Sequence, residues 1–312
     1  MKVRLPQNRK NVLQQPLCSE EDEEVTFMLD ESAVGLSVEQ DFPILERSDP
    51  YNLSVGAKQE ELEYVYEKGL KAVPTFGVIP CTATFGTEPY SEQPLMPTKK
   101  IEGLRSDGTL HMDHKLVIHK PISKEGKLHL EKVISAVYDR GEGKGAKINV
   151  DIIAKDEAGD PVFTNTMGYL NRWAGGFGGP KVPHSTVVIP EREADYEIKD
   201  AYPENAPLLY RLTGDTYPLH ADPAFAKKAG FDRPIVHGLC SLGYACRMMI
   251  DALFPGEPER MVSIENQFRA VALPGDHFTL HVWKTGENEA LFRMVKDSDG
   301  KAILDYGRMT WK

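Results

Sequence analysis

The feature that most constrains the fold of this chain is a run of sixteen residues, 239–254, that is apolar on almost every side. Arg247 and Asp251 are its only charged residues. A surface helix carries a polar face, so this run predicts a helix that is buried all round. At 1.5 Å per residue the helix would be roughly 24 Å long, enough to cross a small domain. The rest of the chain must supply the surfaces that cover it.

The residues just before this helix, and a pair further upstream, carry most of the chemical information. His237 and Gly238 directly precede the apolar run, so we expect the backbone N–H of Gly238 at or near the helix N-terminus, where anions are favoured. Asp215 and His220 stand five residues apart around Pro218. Helical neighbours are three or four residues apart and strand faces repeat every two. A turn must therefore bring these side chains together, if they meet.

The other periodic segments predict two tandem units, each with helices followed by an antiparallel sheet. In the first unit, an amphipathic helix is predicted over 57–69, ending at Gly69. In the second, Asp222 and Pro223 start a short helix that Gly230 ends, and the buried helix follows. Alternating segments between turn-forming residues predict the strands, which are 115–122, 128–139, 146–155 and 161–173, then 261–271, 277–285, 290–296 and 303–311.

Local similarity between the two units indicates a duplication. The sequence DPYNLS at 49–54 mirrors DTYPLH at 215–220. The first copy has Ser54 where the second has His220, and it has Phe76 in place of the histidine before the buried helix. If the chain has one active site, that site belongs to the second copy.

Length and composition set outer limits on function. With 312 residues, 41% hydrophobic and 27% charged, the chain has the composition of a soluble globular protein with two domains of ordinary size. No apolar run reaches the roughly 18 residues of a membrane span. A net charge of −10 argues against a general nucleic-acid binder. The four cysteines lack C-x-x-C spacing, so we expect reduced thiols in an intracellular compartment and no metal site.

The chemistry available to Asp215, His220 and Gly238 can be stated before any family is considered. A carboxylate and an imidazole on one rigid turn can position and activate a water molecule. A helix-start amide at Gly238 can stabilise an oxyanion. This set suits addition of water to an α,β-unsaturated thioester, and equally hydrolysis of a thioester. The residues also allow a purely structural interpretation, in which Asp215 caps the turn and His220 is a core histidine.

The segment YRLTGDTYPLHADPAFAKKAGFDRPIVHGLC, at 210–240, resembles the R-specific 2-enoyl-CoA hydratases (hydratase 2, MaoC-like), especially the hydratase part of peroxisomal multifunctional enzyme type 2. ELEYVYEKG, VPTFGVIP, HKLVIHKPI, the GGFGG linker and FRAVALPGD are similar to family segments in the same order. The resemblance implies an α+β double hotdog, in which two antiparallel sheets each wrap around a central helix.

This resemblance also implies a domain organisation. We expect an N-terminal, degenerate hotdog that accommodates substrate over 26–174 and a catalytic hotdog over 191–312. A glycine-rich linker over 175–190 joins them, and a disordered tail precedes them over 1–25. The glycines at 175–180 are interpreted as a hinge and not as a phosphate cradle, because no strand leads into them and no helix follows.

By resemblance, Asp215 and His220 are the catalytic pair for syn hydration of trans-2-enoyl-CoA to (3R)-3-hydroxyacyl-CoA in β-oxidation, and Gly238 donates its N–H to the thioester oxygen. Arg140 is the predicted partner of a CoA phosphate. His111 and Met112 fall in loop-like sequence before the first predicted strand. The implied substrate-binding residues are His111, Met112, Arg140, Thr216, Tyr217, Pro218, Leu219, His237 and Phe268.

The resemblance also implies which partners the protein has and where it is located. The CoA thioester is the substrate, and neither a metal nor another cofactor is expected. We also expect a homodimer, with no nucleic-acid partner and no membrane span. A peroxisomal location is implied, although the final three residues, 310–312, are not an S-K-L signal. In a bacterium the location would be the cytoplasm.

One residue departs from the family pattern, and it keeps two rival functions open. The motif G-D-x-N-P-L-H has Tyr217 in place of its asparagine. A phenol is bulkier than an amide, and its oxygen lies farther from the backbone. A hotdog thioesterase is the first alternative. The second is a non-catalytic acyl-CoA-binding protein, for which Tyr217 is the main support.

Overall fold

In the part of the chain that the structure describes, ten strands form one antiparallel sheet. The computed structural model describes residues 29–44, 48–82, 96–105, 108–123 and 126–312. The tail predicted over 1–25 and Cys18 lie outside these residues. The strands are β1 (Ser37–Ile44), β2 (Thr109–Ile118), β3 (Gly126–Asp139), β4 (Ala146–Lys155), β5 (Pro161–Asn171), β6 (Tyr196–Ala201), β7 (Met261–Phe268), β8 (His277–Gly286), β9 (Glu289–Lys296) and β10 (Ala302–Trp311).

The order of the strands shows the duplication directly. It runs β1-β3-β4-β5-β2-β7-β10-β9-β8-β6, so the second half repeats the first in reverse. Residues 113–117 of β2 pair with 263–267 of β7, with Leu116 opposite Ile264. We call this junction the seam. The two predicted sheets are therefore the two halves of one continuous sheet, as a double hotdog requires.

The helices lie between the strands of each half in the sequence. They are α1 (Ser48–Ser54), α2 (Leu62–Val65), α3 (Ile79–Thr82), α4 (Ala206–Arg211), α5 (Pro223–Lys228) and α6 (Gly238–Leu253), with 3-10 turns at Pro74–Val78 and Pro218–His220 among others. None of the described helices is long and apolar enough to cross a lipid bilayer.

The predicted buried helix is α6, and its burial is confirmed. Every residue from 239 to 250 is buried, including Arg247 at 3% exposure. Gly243 allows a close approach to the N-terminal copy, because a Cβ there would lie 2.3 Å from Cγ1 of Val55. The backbone of α6 thus packs directly against the segment that follows α1.

Arg247 ties α6 to both copies through buried ion pairs. Its guanidinium donates to Glu61 at 2.7 Å and to Asp200 of β6 at 3.1 Å. It also donates to the carbonyl of Val55 at 3.2 Å. Asp251, one turn further along α6, lies 3.4 Å away. A charge this deep is tolerated because carboxylates and a carbonyl surround it.

The helix predicted over 57–69 was wrong in extent, since only Leu62–Val65 is helical. Asn52, which is fully buried, explains the difference. Its side-chain amide donates to the carbonyls of Tyr64 and Lys71 at 3.0 and 2.8 Å. Its oxygen accepts from the N–H of Val73 at 2.9 Å. The backbone folds around this amide, and the helix ends after one turn.

Two strands, β1 and β6, were missed by the sequence analysis. They are the two edges of the sheet, each paired on one side only, with β3 and β8 respectively. Edge strands need less apolar sequence, and β6 alternates half-buried with exposed residues. The first predicted strand, 115–122, was also wrong at both ends, since β2 runs from Thr109 to Ile118. Because β2 begins at Thr109, His111 and Met112 lie in a strand and not in a loop.

The glycine-rich segment folds back onto the end of β3. Asp139, which is 2% exposed, accepts hydrogen bonds from the N–H groups of Gly141, Gly176 and Gly178 at 2.7 to 2.8 Å. These bonds, led by that from Gly176, lower the pKa of the Asp139 carboxyl. The amides of Gly176 and Gly178 are thereby used by a carboxylate of the chain itself.

Candidate active site

The turn between α4 and α5 holds the predicted acid and imidazole. A 3-10 turn over Pro218–His220 follows Asp215, whose Oδ1 accepts a hydrogen bond from the N–H of Tyr217 at 3.3 Å. The predicted cap of the next helix is confirmed, since Asp222 accepts from the N–H of Ala224 at 2.8 Å. The turn is thus fixed at both ends by carboxylate oxygens.

His220 is held as a neutral base. One ring nitrogen, Nδ1, lies 2.9 Å from the carbonyl oxygen of Ile235. A carbonyl only accepts, so Nδ1 carries the proton and Nε2 is left with a free lone pair. Burial lowers the pKa of His220 to about 4. At neutral pH the ring is therefore a hydrogen-bond acceptor at Nε2.

Asp215 has the opposite shift. Burial raises the pKa of this carboxyl to about 6, against smaller lowering effects from the N–H of Tyr217 and the charge of Arg211. Asp215 is therefore mainly ionised at neutral pH and protonated in mild acid. In the part of the chain that the structure describes, no hydrogen bond joins the side chains of Asp215 and His220.

His237 contacts both members of the pair. Its ring stacks on that of His220, with centroids 3.6 Å apart and planes inclined by 23°. Its Nε2 lies 3.3 Å from the main-chain oxygen of Asp215 and donates to it. Burial lowers the pKa of His237 well below its usual range, so this ring is neutral too. The structure thus brings Asp215, His220 and His237 together.

Gly238 opens the helix terminus to the site. It is the first residue of α6, so its N–H has no intrahelical partner. Gly238 is exposed, whereas His237 and residues 239–250 are buried. The ring of Phe268 covers one side, because a Cβ on Gly238 would lie 2.9 Å from Cδ1 of Phe268. Only a glycine leaves this amide both open and lined by an aromatic wall.

His111 and Phe268 reach the same place from the two sides of the seam. Their ring centroids are 4.8 Å apart, and His111 also stacks on Tyr169 at 5.1 Å. The pKa of Tyr169 is raised by burial and, in part, by the charge of Asp215. These ring contacts therefore join His111 and Tyr169 of the N-terminal copy to Phe268 of the C-terminal copy.

The other predicted substrate residues lie around the turn or further out. The ring of Tyr217 is edge-on to Phe225 at 5.4 Å and to His220 at 6.3 Å. Pro218 begins the 3-10 turn, and the carbonyl oxygens of Thr216 and Leu219 accept hydrogen bonds from Arg211 and from the N–H of Ile235. The phenol thus stands beside the imidazole, packed against α5.

Arg140 and Met112 lie on a groove of about 940 Å³ between the sheet and linker residues 182–189, which we call the outer groove. Arg140, the predicted partner of a CoA phosphate, lines this groove. The full set of groove cations is Lys115, Arg140, Lys147, Arg269 and Arg293. Among the described residues, Lys115, Arg140 and Arg269 have no ion-pair partner.

The equivalent positions in the first copy keep an acid, Asp49 in place of Asp215, but have no imidazole. Ser54 donates to the carbonyl of Tyr51 at 2.7 Å, and Phe76 packs edge-on against the ring of Tyr51. A Cβ on Gly77 would lie 3.3 Å from side-chain atoms of Leu116 and Ile122. The first copy is therefore filled with apolar groups where the second has its polar site.

The sequence analysis did not single out Tyr169, His114 or Asn266, which the structure places beside the site. The alternation of inward and outward residues along a strand could have found two of them. His114 stands two residues before Leu116, and Asn266 two residues after Ile264, so both point to the buried face. A polar residue at an inward strand position is more informative than an exposed apolar one.

An acid and an imidazole beside an open helix terminus, within a double hotdog, define a protein of the MaoC-like class. The sequence matches the MaoC like domain over residues 185–304 and the MFE-2 hydratase 2 N-terminal domain over residues 46–172. The chain belongs to the hydratase 2 family of MaoC-like enzymes.

Individual relatives agree with this assignment. "Probable enoyl-CoA hydratase 2" of Dictyostelium discoideum is 33% identical over 82% of this chain and 87% of that protein. Mouse "Peroxisomal multifunctional enzyme type 2" is 32% identical over 81% of this chain, which matches 34% of that longer protein. The crystal structure of a MaoC-like dehydratase from Phytophthora capsici superposes with a TM-score of 0.79, at 26% identity, over 91% of this chain and 98% of that one. The expected double hotdog fold is confirmed.

Proposed function

We propose that this protein catalyses the reversible hydration of trans-2-enoyl-CoA to (3R)-3-hydroxyacyl-CoA in fatty-acid β-oxidation. The observation that carries the proposal is the site itself. A carboxyl with a raised pKa and an imidazole with a lowered pKa are joined through His237, next to the open amide of Gly238. The names of the relatives, which are enoyl-CoA hydratases, support the same reaction.

The Gly238 amide supplies the electrophilic part of the reaction. When water adds to C3 of the enoyl group, the electrons of the double bond move towards the thioester oxygen. The N–H of Gly238 and the positive end of α6 stabilise this negative charge. Because α6 is buried along its length, its amide direction is fixed before substrate arrives.

Asp215 and His220 handle the proton. Water is held between the carboxylate and the free lone pair of His220 Nε2, both of which accept hydrogen bonds. The carboxylate takes one proton from the water as the water oxygen bonds to C3 of the enoyl group. The resulting acid returns that proton to C2, so water is added in full and the pair is regenerated. Because the hydroxyl group and the proton reach the same face of the double bond, the addition is syn.

The degenerate first copy would serve the acyl chain. Leu116 and Ile122 close on Gly77 where the second copy has an open helix terminus. An apolar interior at this position suits a long or branched hydrocarbon chain. In this proposal neither a metal nor a redox cofactor takes part, because water, the pair and the Gly238 amide account for every proton and electron pair.

The assembly and location are proposed on the same basis. A homodimer would give a mass near twice 34.9 kDa in light scattering after gel filtration, whereas a monomer would give that mass once. Relatives are named as peroxisomal proteins, so a peroxisomal location is proposed for a eukaryotic source.

A direct assay tests the function. The enoyl-thioester absorbance should fall when protein is added to crotonyl-CoA or to a C10 enoyl-CoA, and chiral analysis should find the (3R) product. Release of free CoA with no hydrated product would instead identify a thioesterase. Tight binding of substrate with neither reaction would identify a non-catalytic acyl-CoA-binding protein. Either outcome would contradict the proposed hydratase.

A further inference from the structure

Three polar side chains at the seam have buried nitrogen or oxygen atoms without a hydrogen-bond partner among the described residues. His114 and Asn266 face each other across β2 and β7, with 1% and 3% of their surface exposed. Neither Oδ1 nor Nδ2 of Asn266 has a partner among the described residues, and the same holds for Nδ1 of His114 and Nε2 of His111. Folded proteins rarely leave such atoms unpaired, so this seam cluster indicates a missing partner.

A chain of hydrogen bonds fixes what His114 offers. Asn165 donates from Nδ2 to the carbonyl of Gly77 at 3.0 Å, so its amide orientation is set. Its Oδ1 then accepts from Nε2 of His114 at 2.8 Å. The remaining nitrogen of His114, Nδ1, must be an acceptor. Burial lowers the pKa of this ring to about 4, so it stays neutral.

The seam cluster lies one aromatic ring away from Gly238. The rings of His114 and His111 are 5.4 Å apart, and those of His111 and Phe268 are 4.8 Å apart. Phe268 in turn covers the amide of Gly238. A substrate whose thioester oxygen binds at Gly238 therefore has its neighbouring atoms within reach of the cluster.

The seam cluster also borders the outer groove. His114, Asn266, Phe268 and Met112 all belong to the lining of that groove. The pairing of β2 with β7 ends before Met112 and Phe268, so the two strands part at these residues. Cations line the outer part, which matches phosphate groups. The outer groove therefore reaches the seam where the two strands part, and Phe268 lies between this groove and the amide of Gly238.

From this juxtaposition we propose that His114 and Asn266 bind an amide group of the substrate's pantetheine arm. The inference rests on the proposed function, because it takes the substrate to be a CoA thioester. A secondary amide has one N–H and one carbonyl. The N–H fits the acceptor Nδ1 of His114, and the carbonyl fits the donor Nδ2 of Asn266. Two neutral groups suit a neutral amide better than a phosphate or carboxylate.

Two variants separate this role from folding. Asn266→Val removes both unpaired polar atoms at similar volume. His114→Gln retains an N–H at the position of Nε2 for Asn165 and removes the Nδ1 acceptor. Ile264→Val is the matched control, since Ile264 is buried two residues away on the same strand and has only carbon atoms in its side chain.

Three crotonyl thioesters then vary the other partner. Crotonyl-CoA has both pantetheine amides, the N-acetylcysteamine thioester has one, and the S-propyl thioester has none. Losing a hydrogen bond to a buried group should lower kcat/KM about tenfold for a substrate that has the amide. We expect that loss with crotonyl-CoA for both variants, and no change with the S-propyl thioester. The N-acetylcysteamine result tells which amide is bound.

Several outcomes would overturn the assignment. An equal loss with all three thioesters would show a structural effect, and no loss with any of them would show no role. Asn266→Val should also unfold at the same or a higher temperature than wild type, because it removes an unsatisfied group.

A binding measurement distinguishes failure of this inference from failure of the proposed function. If wild type hydrates none of the thioesters, the hydratase proposal fails, yet calorimetric titration with coenzyme A still tests the cluster. Asn266→Val should raise the Kd for coenzyme A about tenfold, and Ile264→Val should leave it unchanged. An unchanged Kd for coenzyme A in both Asn266→Val and His114→Gln would refute the amide site.

Discussion

Replacing Asp215 with asparagine should abolish hydration and, above mild acid, stabilise the folded protein. Burial raises the pKa of Asp215 from 3.8 to about 6, which means that the folded state disfavours its ionised form. Each pKa unit corresponds to about 1.36 kcal/mol. A shift of about two units therefore makes the ionised carboxylate cost up to about 3 kcal/mol of folding free energy. Asparagine avoids this cost and keeps the oxygen that accepts from Tyr217.

The sign of the effect depends on pH. Below pH 3.8 the carboxyl is protonated in both the folded and the unfolded state. The ionisation of Asp215 then contributes no difference in stability between wild type and variant. Between that pH and about 6, the unfolded chain loses the proton that the folded protein retains, and wild-type stability falls as pH rises. Above about 6 the full difference persists.

Urea unfolding followed by tryptophan fluorescence measures this difference. The D215N protein should be more stable than wild type by up to about 3 kcal/mol near pH 8, and the advantage should shrink towards pH 4.5. D232N is the matched control, because Asp232 is exposed and undergoes the same chemical change. A D215N protein that is less stable than wild type at every pH would refute a buried, strained carboxylate. An active D215N protein would refute its catalytic role.

Four further measurements follow from the site. The kcat/KM of wild type should fall about tenfold per pH unit below about pH 6, as Asp215 is protonated, and a flat profile down to pH 5 would contradict this. His220→Asn preserves a donor for the Ile235 carbonyl but removes the base, so activity should fall about 10²- to 10⁴-fold with the fold intact by circular dichroism. Gly238→Ala should displace Phe268 and cost up to about 100-fold in kcat/KM, partly recovered by adding Phe268→Leu; no recovery would exclude a clash with that ring. Arg247→Met should lower the free energy of unfolding by about 3–5 kcal/mol near pH 8. The loss should be smaller near pH 5, because burial raises the pKa of its partner Asp251 to about 7 and that carboxyl takes up a proton there.

The sequence predicted the core of the site because short-range signals determined it. Asp222 and Pro223 define a helix start by local chemistry, and α5 begins there. The run that forms α6 has few polar residues and therefore no polar face, so a buried helix was expected. Six of the eight predicted strands start within one residue of the observed strand, and four of these, including Ala146–Lys155, start at the observed residue.

The rest depended on contacts that are distant in the sequence. Asn52 shortens the helix at 57–69 through carbonyl groups up to nineteen residues away, which no periodicity reveals. His237 could be placed at a helix start, but its stacking on His220 depends on how the turn folds back. The partnership of His114 with Asn266 joins residues of different copies, and only the register of the seam brings them together.

The seam has a consequence for how the polypeptide can be divided. Each half ends at the seam in a strand, β2 or β7, whose outer edge is covered only by the other half. Expressed alone, either half would present that edge to solvent and should self-associate. Expressed as two separate polypeptides cut within the linker at 182–189, the halves should instead find each other through the same strands and restore a working enzyme.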